Sequence, residues 1–346
     1  MNAPTEIRYL TEAETRQLCA SFDAVEAVRE ALVLHASDRA TVASEAHMRW
    51  KSPAGHAART LNMPGHLDSD RGELIGTKVI NASLGNVDRG LPRASGLTML
   101  FDPETARVTC VMASAYISAL RTACVTVAAA EALQPASMDK CAILGAGTLA
   151  QMHAELIASR FPQLKRIEIF DLVPAKAQAL AEHLRRGHTR AGLEFTVASS
   201  SQEAVDDTAL VVPVTTTTQG YIPHSWLRPG AVVVHVSLDD LLPDAVLLAD
   251  RLFVDDWALV RDDPHRLLGR MYREGLLAGP GDRSAEGVRR VDAVLGSVLS
   301  SRAPGRLTDD DIIVVNPFGM SIEDVAIAAR VHEQAVEQGI GHLLTR

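Results

Sequence analysis

The sequence predicts an α/β protein in which a region of alternating strands and helices is inserted into an α+β region. Residues 45–111 contain short apolar runs separated by Gly, Asn, Asp and Pro, a pattern typical of antiparallel strands and turns. From Lys140 onward, strand-like runs alternate with helical patterns over short connections, which indicates parallel strands covered by helices. The length of 346 residues also exceeds what one hydrophobic core usually serves, so we expect two domains.

The individual elements follow from the same periodicities. Apolar residues recur at helical spacing over 11–36 and again over 114–133, which predicts helices there. In the inserted region the predicted strands are CAILG, RIEIFD, LEFTVA, ALVVPV and AVVVHVS, and the predicted helices are TLAQMHAELIASR and PAKAQALAEHL. After about residue 264 we expect two helical segments, a strand in DIIVVN, and a last helix in SIEDVAIAARVHEQAVEQ that returns to the first domain.

Composition and charge exclude several classes of protein. The net charge is −9 and the chain has no basic run, so nucleic acid is not an expected partner. The amino terminus carries no apolar signal core, and no apolar run reaches the roughly 18–20 residues of a membrane helix. We therefore expect a cytoplasmic protein without a membrane partner. The cysteines lack CxxC or Cys/His spacing, which predicts buried free thiols and no metal site; they are Cys19, Cys110, Cys124 and Cys141.

A glycine-rich turn joins the first strand and the first helix of the inserted region. Residues 145–150, GAGTLA, fit the pattern GxGxxA between a strand and a helix. Gly145 permits the tight turn, Gly147 lets the backbone approach a pyrophosphate, and Ala150 allows helix and strand to pack closely. The first helical residues direct N–H groups and the positive end of the helix dipole at the phosphates. The sequence therefore predicts a Rossmann dinucleotide-binding domain, although similar turns also occur without a ligand.

The second predicted strand of this region supplies a residue that selects the dinucleotide. The strand ends in Asp171, 24 residues after Gly147. A carboxylate at this place accepts hydrogen bonds from the adenosine ribose hydroxyls and repels a 2′-phosphate. We therefore expect NAD rather than NADP as the cofactor, with Lys176 as a nearby cation that leaves some room for the phosphate.

Three cationic residues of the first region have apolar sequence neighbours. Lys78 lies in LIGTKVI, Arg121 in ISALRTACV, and Arg59 immediately before TLNMP. Burying a cation is costly without an anion, and arginine suits bidentate binding of a carboxylate. Together the three residues indicate a substrate with one or more carboxylates. The alternative is that Lys78 reaches solvent at a sheet edge and each arginine pairs with a structural carboxylate.

Candidates for acid–base chemistry follow another predicted strand. Asp239 and Asp240 come after AVVVHVS, at the carboxyl end of a parallel strand, where open α/β sheets bind their ligands. Two adjacent acids in a turn are also often merely solvated, and His235 within the strand can equally be a core histidine. The sequence contains no Ser/His/Asp order, nucleophile elbow or metal-ligand cluster that offers a competing chemistry.

Several stretches together resemble the ornithine cyclodeaminase/μ-crystallin family. They occur in order along nearly the whole chain: GTKVINASLGNVDRGLPRAS (76–95), ISALRTACVTVAAAEAL (117–133), ILGAGTLAQ (143–151), HVSLDDLLPD (235–244) and VVNPFGMSIEDVAIA (314–328). The resemblance implies an NAD-binding Rossmann domain at 126–309, inserted into an α+β substrate and dimerisation domain formed by 1–125 and 310–346. It also implies an enzyme that acts as a homodimer on a small amino-acid-like carboxylate.

The resemblance also implies roles for individual residues. Lys78 matches the family lysine that contacts substrate, so both substrate binding and a catalytic role are implied. Asp240 matches the catalytic aspartate, with Asp239 as the alternative because the turn length differs. Arg49, Arg59 and Arg121 match arginines that bind the substrate carboxylate. The implied cofactor-binding positions are Arg93, Arg121, Thr122, Gly145, Ala146, Gly147, Thr148, Leu149, Asp171, Thr215, Thr217, Ser237 and Asp239.

Within the family, the motifs NxxxGLPRAS and ISALRTA are most similar to N-(2-amino-2-carboxyethyl)-L-glutamate dehydrogenases, which serve 2,3-diaminopropionate biosynthesis for siderophores or secondary metabolites. This implies NAD-dependent oxidation of a secondary amine to an imine, which water splits into 2-oxoglutarate and 2,3-diaminopropionate. The chain departs from that subgroup at Val79, where a Trp is usual, and at Asp239, where an Arg is usual. Leu61 stands where ornithine cyclodeaminases carry a Glu for the distal amine, which argues against ornithine unless Asp239 substitutes.

Other activities of the family remain open from the sequence. They are ornithine- or lysine-type cyclodeaminase, alanine dehydrogenase, ketimine reductase, and a non-catalytic μ-crystallin-like binding protein. In a cyclodeaminase NAD is reduced and reoxidised within one turnover, so no net NADH forms. A binding protein need not retain Lys78, Arg121 and Asp240 together, so their joint presence favours an enzyme.

Overall fold

A computed structural model gives the fold and describes residues 6–188, 190–282 and 287–345. The strands are β1 (Glu6–Leu10), β2 (Ala40–Val42), β3 (Ala46–Lys51), β4 (Ala57–Ser69), β5 (Gly72–Ser83), β6 (Ala94–Phe101), β7 (Val108–Ala113), β8 (Lys140–Leu144), β9 (Arg166–Phe170), β10 (Glu194–Val197), β11 (Leu210–Pro213), β12 (Val232–Val234), β13 (Arg251–Val254), β14 (Leu277–Ala278), β15 (Arg289–Arg290), β16 (Ala293–Val294), β17 (Ile313–Asn316) and β18 (His342–Thr345). The α-helices are α1 (Glu12–Cys19), α2 (Ala24–His35), α3 (Ala115–Leu133), α4 (Thr148–Arg160), α5 (Pro174–Gly187), α6 (Ser201–Val205), α7 (Pro243–Leu247), α8 (Trp257–Asp262), α9 (Leu267–Arg273), α10 (Leu295–Leu299) and α11 (Ser321–Glu337). Short 3-10 helices cover Leu84–Arg89 and His224–Trp226.

The chain forms two compact units. The first comprises Met1–Arg121 and Gly319–Arg346, and the second comprises Thr122–Phe318. These boundaries differ from the expected 125/126 and 309/310. The larger difference arises from β17, which pairs with β12 and β13 and so belongs to the sheet of the second unit. The chain therefore returns to the first unit only at Gly319, after β17 is complete.

The first unit is built on a sheet of order β18-β1-β7-β6-β5-β4-β2, with β3 also paired to β4. The strands expected over 45–111 are antiparallel neighbours, β3 through β7, whereas β1 pairs in parallel with β7. A capping box between Thr11 and Glu14 begins α1, and Asp23 caps α2. The last helix, α11, lies against β4 and β5 and packs on α2, so it covers one face of this sheet.

The second unit is an open parallel sheet of order β10-β9-β8-β11-β12-β17-β13-β16. Its central strands are runs of buried apolar residues, as in β11 and β12, which is typical of strands covered on both faces. From β8 the chain continues to β9 on one side, and β11 lies on the other side. The carboxyl ends of β8 and β11 therefore flank the switch point of the sheet, where ligands of such folds bind.

Two expectations about the fold need correction. The strands β1, β13 and β18 were not predicted, because these four- or five-residue runs lack a clear alternation of apolar and polar residues. The 19-residue helix α3 is also long and apolar enough to cross a membrane, contrary to the expectation from the sequence. However, 67% of its most apolar window is buried inside the fold, as in the core helix of a globular domain.

Candidate active site

Lys78 lies on the central strand β5 and is almost completely buried, with 1% of its side chain exposed. Its Nζ donates to Oδ2 of Asp324 at 2.7 Å and to Oγ of Ser118 at 3.3 Å. Burial lowers the pKa of Lys78, and the Asp324 carboxylate opposes that effect. The alternative in which Lys78 reaches solvent at a sheet edge does not hold, because the ammonium group is paired inside the first unit.

Arg121 joins the same cluster from α3. Its Nη1 donates to Oε2 of Glu323 at 2.9 Å, and its Nε lies 3.5 Å from Oδ2 of Asp324. Both carboxylates are fully buried, and the Arg121 side chain is 12% exposed. Arg121 therefore does pair with carboxylates of the fold, as the alternative held. We call Lys78, Arg121, Glu323 and Asp324 the charge quartet, which contains two cations and two anions.

Gly319 shows how closely the chain packs around the quartet. Its φ of +95° lies in the left-handed region that favours glycine, and a Cβ atom there would collide with Nη1 of Arg121. Arg121 thus lies against the backbone just before α11, the helix that supplies both anions. A side chain at position 319 would displace the guanidinium group from Glu323.

Arg49 and Arg59 lie on the same face of the first sheet as Lys78. Arg49 of β3 is directly opposite Arg59 of β4, and Met63, four residues along β4, is opposite Lys78 of β5. Because side chains alternate between faces along a strand and opposite residues share a face, the three cations point to one side. Arg49 is exposed and Arg59 is half-buried, so a ligand can reach this pair. Two guanidinium groups on one face of a sheet are suited to bind a carboxylate.

Asp240 of the second unit lies in the turn after β12 and is fully buried. Its Oδ1 accepts hydrogen bonds from Oγ1 of Thr215 at 2.6 Å and from the hydroxyl of Tyr221 at 3.0 Å. Its Oδ2 accepts a hydrogen bond from Oγ of Ser237. Burial raises the pKa of Asp240, and these three hydrogen bonds oppose that effect. A buried carboxyl group with a raised pKa is a candidate for general acid–base chemistry.

The adjacent Asp239 has a different environment. Its carboxylate is 2% exposed and pairs with Nη1 of Arg266 at 2.8 Å and with Nη1 of Arg270 at 3.0 Å. Both carboxylate oxygens of Asp239 are thus already occupied by guanidinium groups. The geometry therefore favours Asp240 over Asp239 as the acid–base candidate.

The glycine-rich turn fits the pyrophosphate of a dinucleotide. Gly145 has a φ of +107°, and a Cβ atom there would lie 2.9 Å from the carbonyl oxygen of Val214. Gly147 is the N-cap residue immediately before α4, and the space that its Cβ would occupy is open. Among the described residues, no side chain caps the first N–H groups of α4. These N–H groups can therefore bind phosphate oxygens.

Asp171 directly follows β9 and reaches the glycine-rich turn. Its Oδ2 accepts a hydrogen bond from the amide of Ala146 at 2.9 Å, and its Oδ1 accepts one from the amide of Val173 at 2.8 Å. Backbone amides thus fix the carboxylate beside the turn that fits the pyrophosphate. This is the position that the hydroxyl groups of an adenosine ribose require.

The remaining predicted cofactor residues occupy separate places. Thr148 and Leu149 are the first two residues of α4, next to the glycine-rich turn. Thr217 lies in the loop after β11, where its amide donates to the Thr215 hydroxyl at 3.1 Å. Thr122 lies on α3 at the start of the second unit, whereas Arg93 is exposed just before β6 of the first unit.

Sequence reasoning missed three residues that complete these clusters. Glu323 and Asp324 are adjacent acids in the otherwise apolar stretch SIEDVAIAA. Lys78 and Arg121, which also have apolar neighbours, needed carboxylate partners of this kind. That combination was a usable signal. Tyr221, which donates to Asp240, has no comparable signal, because it is an ordinary residue of a loop that meets Asp240 only in the folded unit.

Comparisons with known proteins cover the whole chain. The model of the ornithine cyclodeaminase/mu-crystallin family matches residues 6–339. N-((2S)-2-amino-2-carboxyethyl)-L-glutamate dehydrogenase of Staphylococcus aureus is 30% identical over 344 residues, which is 98% of each chain. The crystal structure of CmnK is 37% identical with a TM-score of 0.88, covering 99% of this chain and 98% of CmnK. An archaeal alanine dehydrogenase dimer with bound NAD is 24% identical with a TM-score of 0.83, covering 98% and 99% of the two chains.

These similarities include the α+β unit as well as the dinucleotide-binding unit. They confirm the predicted α/β fold class, the family, the enzymatic class and the NAD cofactor. The chain belongs to the ornithine cyclodeaminase/mu-crystallin family and is an NAD(P)-dependent oxidoreductase of amino-acid metabolism.

Proposed function

We propose that this oxidoreductase acts on the C–N bond of an N-(carboxyalkyl) amino acid, specifically N-(2-amino-2-carboxyethyl)-L-glutamate. Oxidation would remove a hydride from the carbon next to the secondary amine and a proton from its nitrogen, and NAD would be the hydride acceptor when bound. Water then splits the resulting imine into 2-oxoglutarate and 2,3-diaminopropionate. The observation that carries the proposal is the facing pair of Arg49 and Arg59, which suits a substrate with several carboxylates. The similarity to the S. aureus dehydrogenase supports the same substrate.

The charge quartet changes the roles expected for its two cations. Lys78 and Arg121 already face buried carboxylates, so the quartet carries no net charge and is a poor site for a free carboxylate. We therefore assign the substrate carboxylates to Arg49 and Arg59. Lys78 instead supplies an ammonium group that shares its proton with Asp324, which suits hydrogen bonding or proton transfer at the reacting nitrogen.

Asp240 is assigned as the general base for the amine or for water. Among the described residues, its carboxyl group accepts hydrogen bonds from three hydroxyl groups and has no lysine or arginine partner. A raised pKa makes this carboxylate a stronger base toward the proton of the amine or of water. Thr215, Tyr221 and Ser237 then serve to orient the carboxyl group.

Two features argue against a diamino acid such as ornithine. Leu61, at the position where cyclodeaminases carry a glutamate, is a buried residue of β4. Asp239, the other acid that was considered for the distal amine, is already paired with Arg266 and Arg270. A second ammonium group would thus find no carboxylate at either position.

The cofactor assigned to the second unit is NAD, which supplies the hydride acceptor when bound. The glycine-rich turn would hold its pyrophosphate, and Asp171 would accept hydrogen bonds from the adenosine ribose. Because a carboxylate repels a 2′-phosphate, NADH is expected to bind at least about tenfold more tightly than NADPH. Fluorescence titration with both dinucleotides measures this ratio, and tighter NADPH binding would contradict the assignment of Asp171.

We also propose that the enzyme is a cytoplasmic homodimer. Met48 and Trp50 of β3 and Leu97 of β6 are large apolar residues exposed on the first unit, and a second copy would cover such a surface. The buried free cysteines suit a reducing compartment. Light scattering coupled to size-exclusion chromatography measures the mass of the assembly, and a monomer would contradict the homodimer.

The decisive experiment follows NADH absorbance while protein and NAD meet N-(2-amino-2-carboxyethyl)-L-glutamate, alanine, ornithine and lysine separately. Net NADH with the first compound is the expected result. NADH with alanine alone would make the protein an alanine dehydrogenase, and ammonia without NADH from ornithine or lysine would make it a cyclodeaminase. Arg59→Met is expected to raise KM for the first compound, whereas Arg89→Met, on an exposed residue, serves as the matched control.

A further inference from the structure

His235 is a buried titratable group that the proposed reaction leaves without a role. It directly follows β12, and its side chain is fully buried. Its Nε2 lies 2.9 Å from the backbone nitrogen of Asp240 and 3.4 Å from that of Leu241. On the other side of the ring, Nδ1 lies 3.0 Å from the side-chain amide of Asn316, the last residue of β17. The ring thus connects the ends of two neighbouring strands to the backbone of Asp240.

These contacts determine which ring nitrogen carries the proton. A backbone N–H can only donate, so Nε2 must be the unprotonated acceptor of the Asp240 hydrogen bond. A neutral imidazole then carries its proton on Nδ1 and needs an acceptor there. In the structure Nδ2 of Asn316 lies 3.0 Å from Nδ1 and 3.5 Å from the His235 carbonyl oxygen. The two orientations of a carboxamide have the same shape, and the reversed one places its oxygen at Nδ1 as the acceptor.

The turn between His235 and Asp240 depends on such a support. Leu238 within it has a φ of +74°, in the left-handed region that non-glycine residues adopt only when their surroundings enforce it. The Asp240 amide is buried, and without an acceptor the turn would relax to satisfy it. We infer that His235, held as the Nδ1–H tautomer by Asn316, is a positioning residue that fixes the backbone at Asp240 and thereby orients its carboxyl group.

The environment keeps the ring neutral while it performs this role. Burial lowers the pKa of His235 to about 3, and the positive charge of Arg266 lowers it as well. The nearest carboxylate oxygen, Oδ2 of Asp240, lies 3.7 Å from Nε2. Protonated Nε2 could not accept the Asp240 amide, so a neutral ring is a condition of the support. The inference rests on the proposed function in one respect, which is that Asp240 takes part in the reaction.

The first test reads the tautomer directly and needs no substrate. Nitrogen NMR of the full-length protein with 15N-labelled histidine distinguishes Nδ1–H from Nε2–H rings by their chemical shifts. Comparison with His235→Gln identifies the signal among the 12 histidines of the chain. The expected signal is that of an Nδ1–H ring that does not titrate between about pH 5 and 8. An Nε2–H ring, or a midpoint near the ordinary histidine value, would overturn the inference.

The second test compares two neutral replacements that differ in reach. The carboxamide of His235→Gln extends to the position of Nε2 and can accept the Asp240 amide, whereas that of His235→Asn reaches only the position of Nδ1. We expect His235→Asn to lower kcat by up to about 100-fold while KM and the NADH dissociation constant change by less than about twofold. His235→Gln should recover most of the lost kcat at equal thermal stability. Equal loss in both variants would overturn the inference.

A double variant separates this positioning role from a merely structural one. In an Asp240→Asn background, the change His235→Asn should lower kcat no further, because the carboxyl group that the ring positions is already absent. If His235→Asn lowers kcat in this background by the same factor as in the wild type, the inference is overturned. Failure of the proposed function has a different signature, since wild-type protein would then form no NADH from N-(2-amino-2-carboxyethyl)-L-glutamate while the NMR result stands.

Discussion

Both units bury carboxylates, but they compensate the negative charge in different ways. In the charge quartet of the first unit, Asp324 faces the ammonium group of Lys78 at 2.7 Å. In the second unit, the hydrogen bonds to the Asp240 carboxyl group come, among the described residues, from three neutral hydroxyl groups. The ammonium group of Lys78 compensates the charge of its partner directly, whereas hydroxyl groups donate hydrogen bonds without a compensating charge. The comparison teaches that the partners of a buried acid indicate its role better than its burial does.

The same contrast occurs between adjacent residues of one turn. Asp239 is paired with Arg266 and Arg270, whereas Asp240 is not paired with any cation among the described residues. Strand geometry alone places both acids at the same edge of the sheet. Only their partners separate a carboxylate that anchors α9 from one that is available for proton transfer.

The largest expected effect comes from removing the acid that lacks a cation. Asp240→Asn should lower kcat by about 10²–10⁴-fold, because the amide cannot accept a proton. Its thermal stability should be unchanged or higher, since the fold no longer holds a buried acid with a raised pKa. Steady-state kinetics and thermal unfolding measure the two outcomes. Full activity in Asp240→Asn together with inactive Asp239→Asn would reverse the assignment.

The next effect should be on stability and should occur in the charge quartet. Asp324→Asn leaves the quartet with two buried cations and one anion, which should cost about 3 kcal/mol of unfolding free energy. Replacing both partners, in Lys78→Met with Asp324→Leu, should recover much of that loss because no unpaired charge remains. Urea unfolding followed by circular dichroism gives these values. A double variant less stable than Asp324→Asn would contradict the pairing.

A smaller loss of unfolding free energy is expected for the arginine partners of Asp239, because these cations are more exposed. The side chains of Arg266 and Arg270 are 38% and 39% exposed, so water screens part of their attraction to Asp239. Arg266→Ala combined with Arg270→Ala should therefore cost about 1 kcal/mol. In an Asp239→Asn background the same two changes should cost almost nothing. If the loss is equal in both backgrounds, the arginines stabilise α9 through other contacts.

The smallest expected effect is a shift in pH dependence. Asp240 acts as a base only when ionised, so kcat/KM should rise with pH through the raised pKa of this residue, above the usual aspartate range. The charge of Asp239 contributes to that raised pKa, so Asp239→Asn should move the rising limb toward lower pH. Rate profiles of wild type and variant measure the shift. A shift toward higher pH would contradict an electrostatic effect of Asp239 on Asp240.

The sequence predicted the elements whose pattern is local. The glycine-rich turn, the buried parallel strands and the helix α3 each have a period or motif that a short window contains. The boundary near residue 309 was placed too early, because nothing in DIIVVN says which sheet the strand joins. Pairing of β17 with β12 and β13 depends on residues that are more than 50 positions away.

The candidate site was predictable in its residue types but not in its charge pairing. By itself the sequence determined the fold class, the dinucleotide turn and the places of Lys78 and of the acids after β12. The tertiary structure decided that Asp324 neutralises Lys78 and that Tyr221 donates to Asp240. The reason is physical: periodicity and turn chemistry act over a few residues, whereas the partner of a buried charge is set by which distant elements pack together.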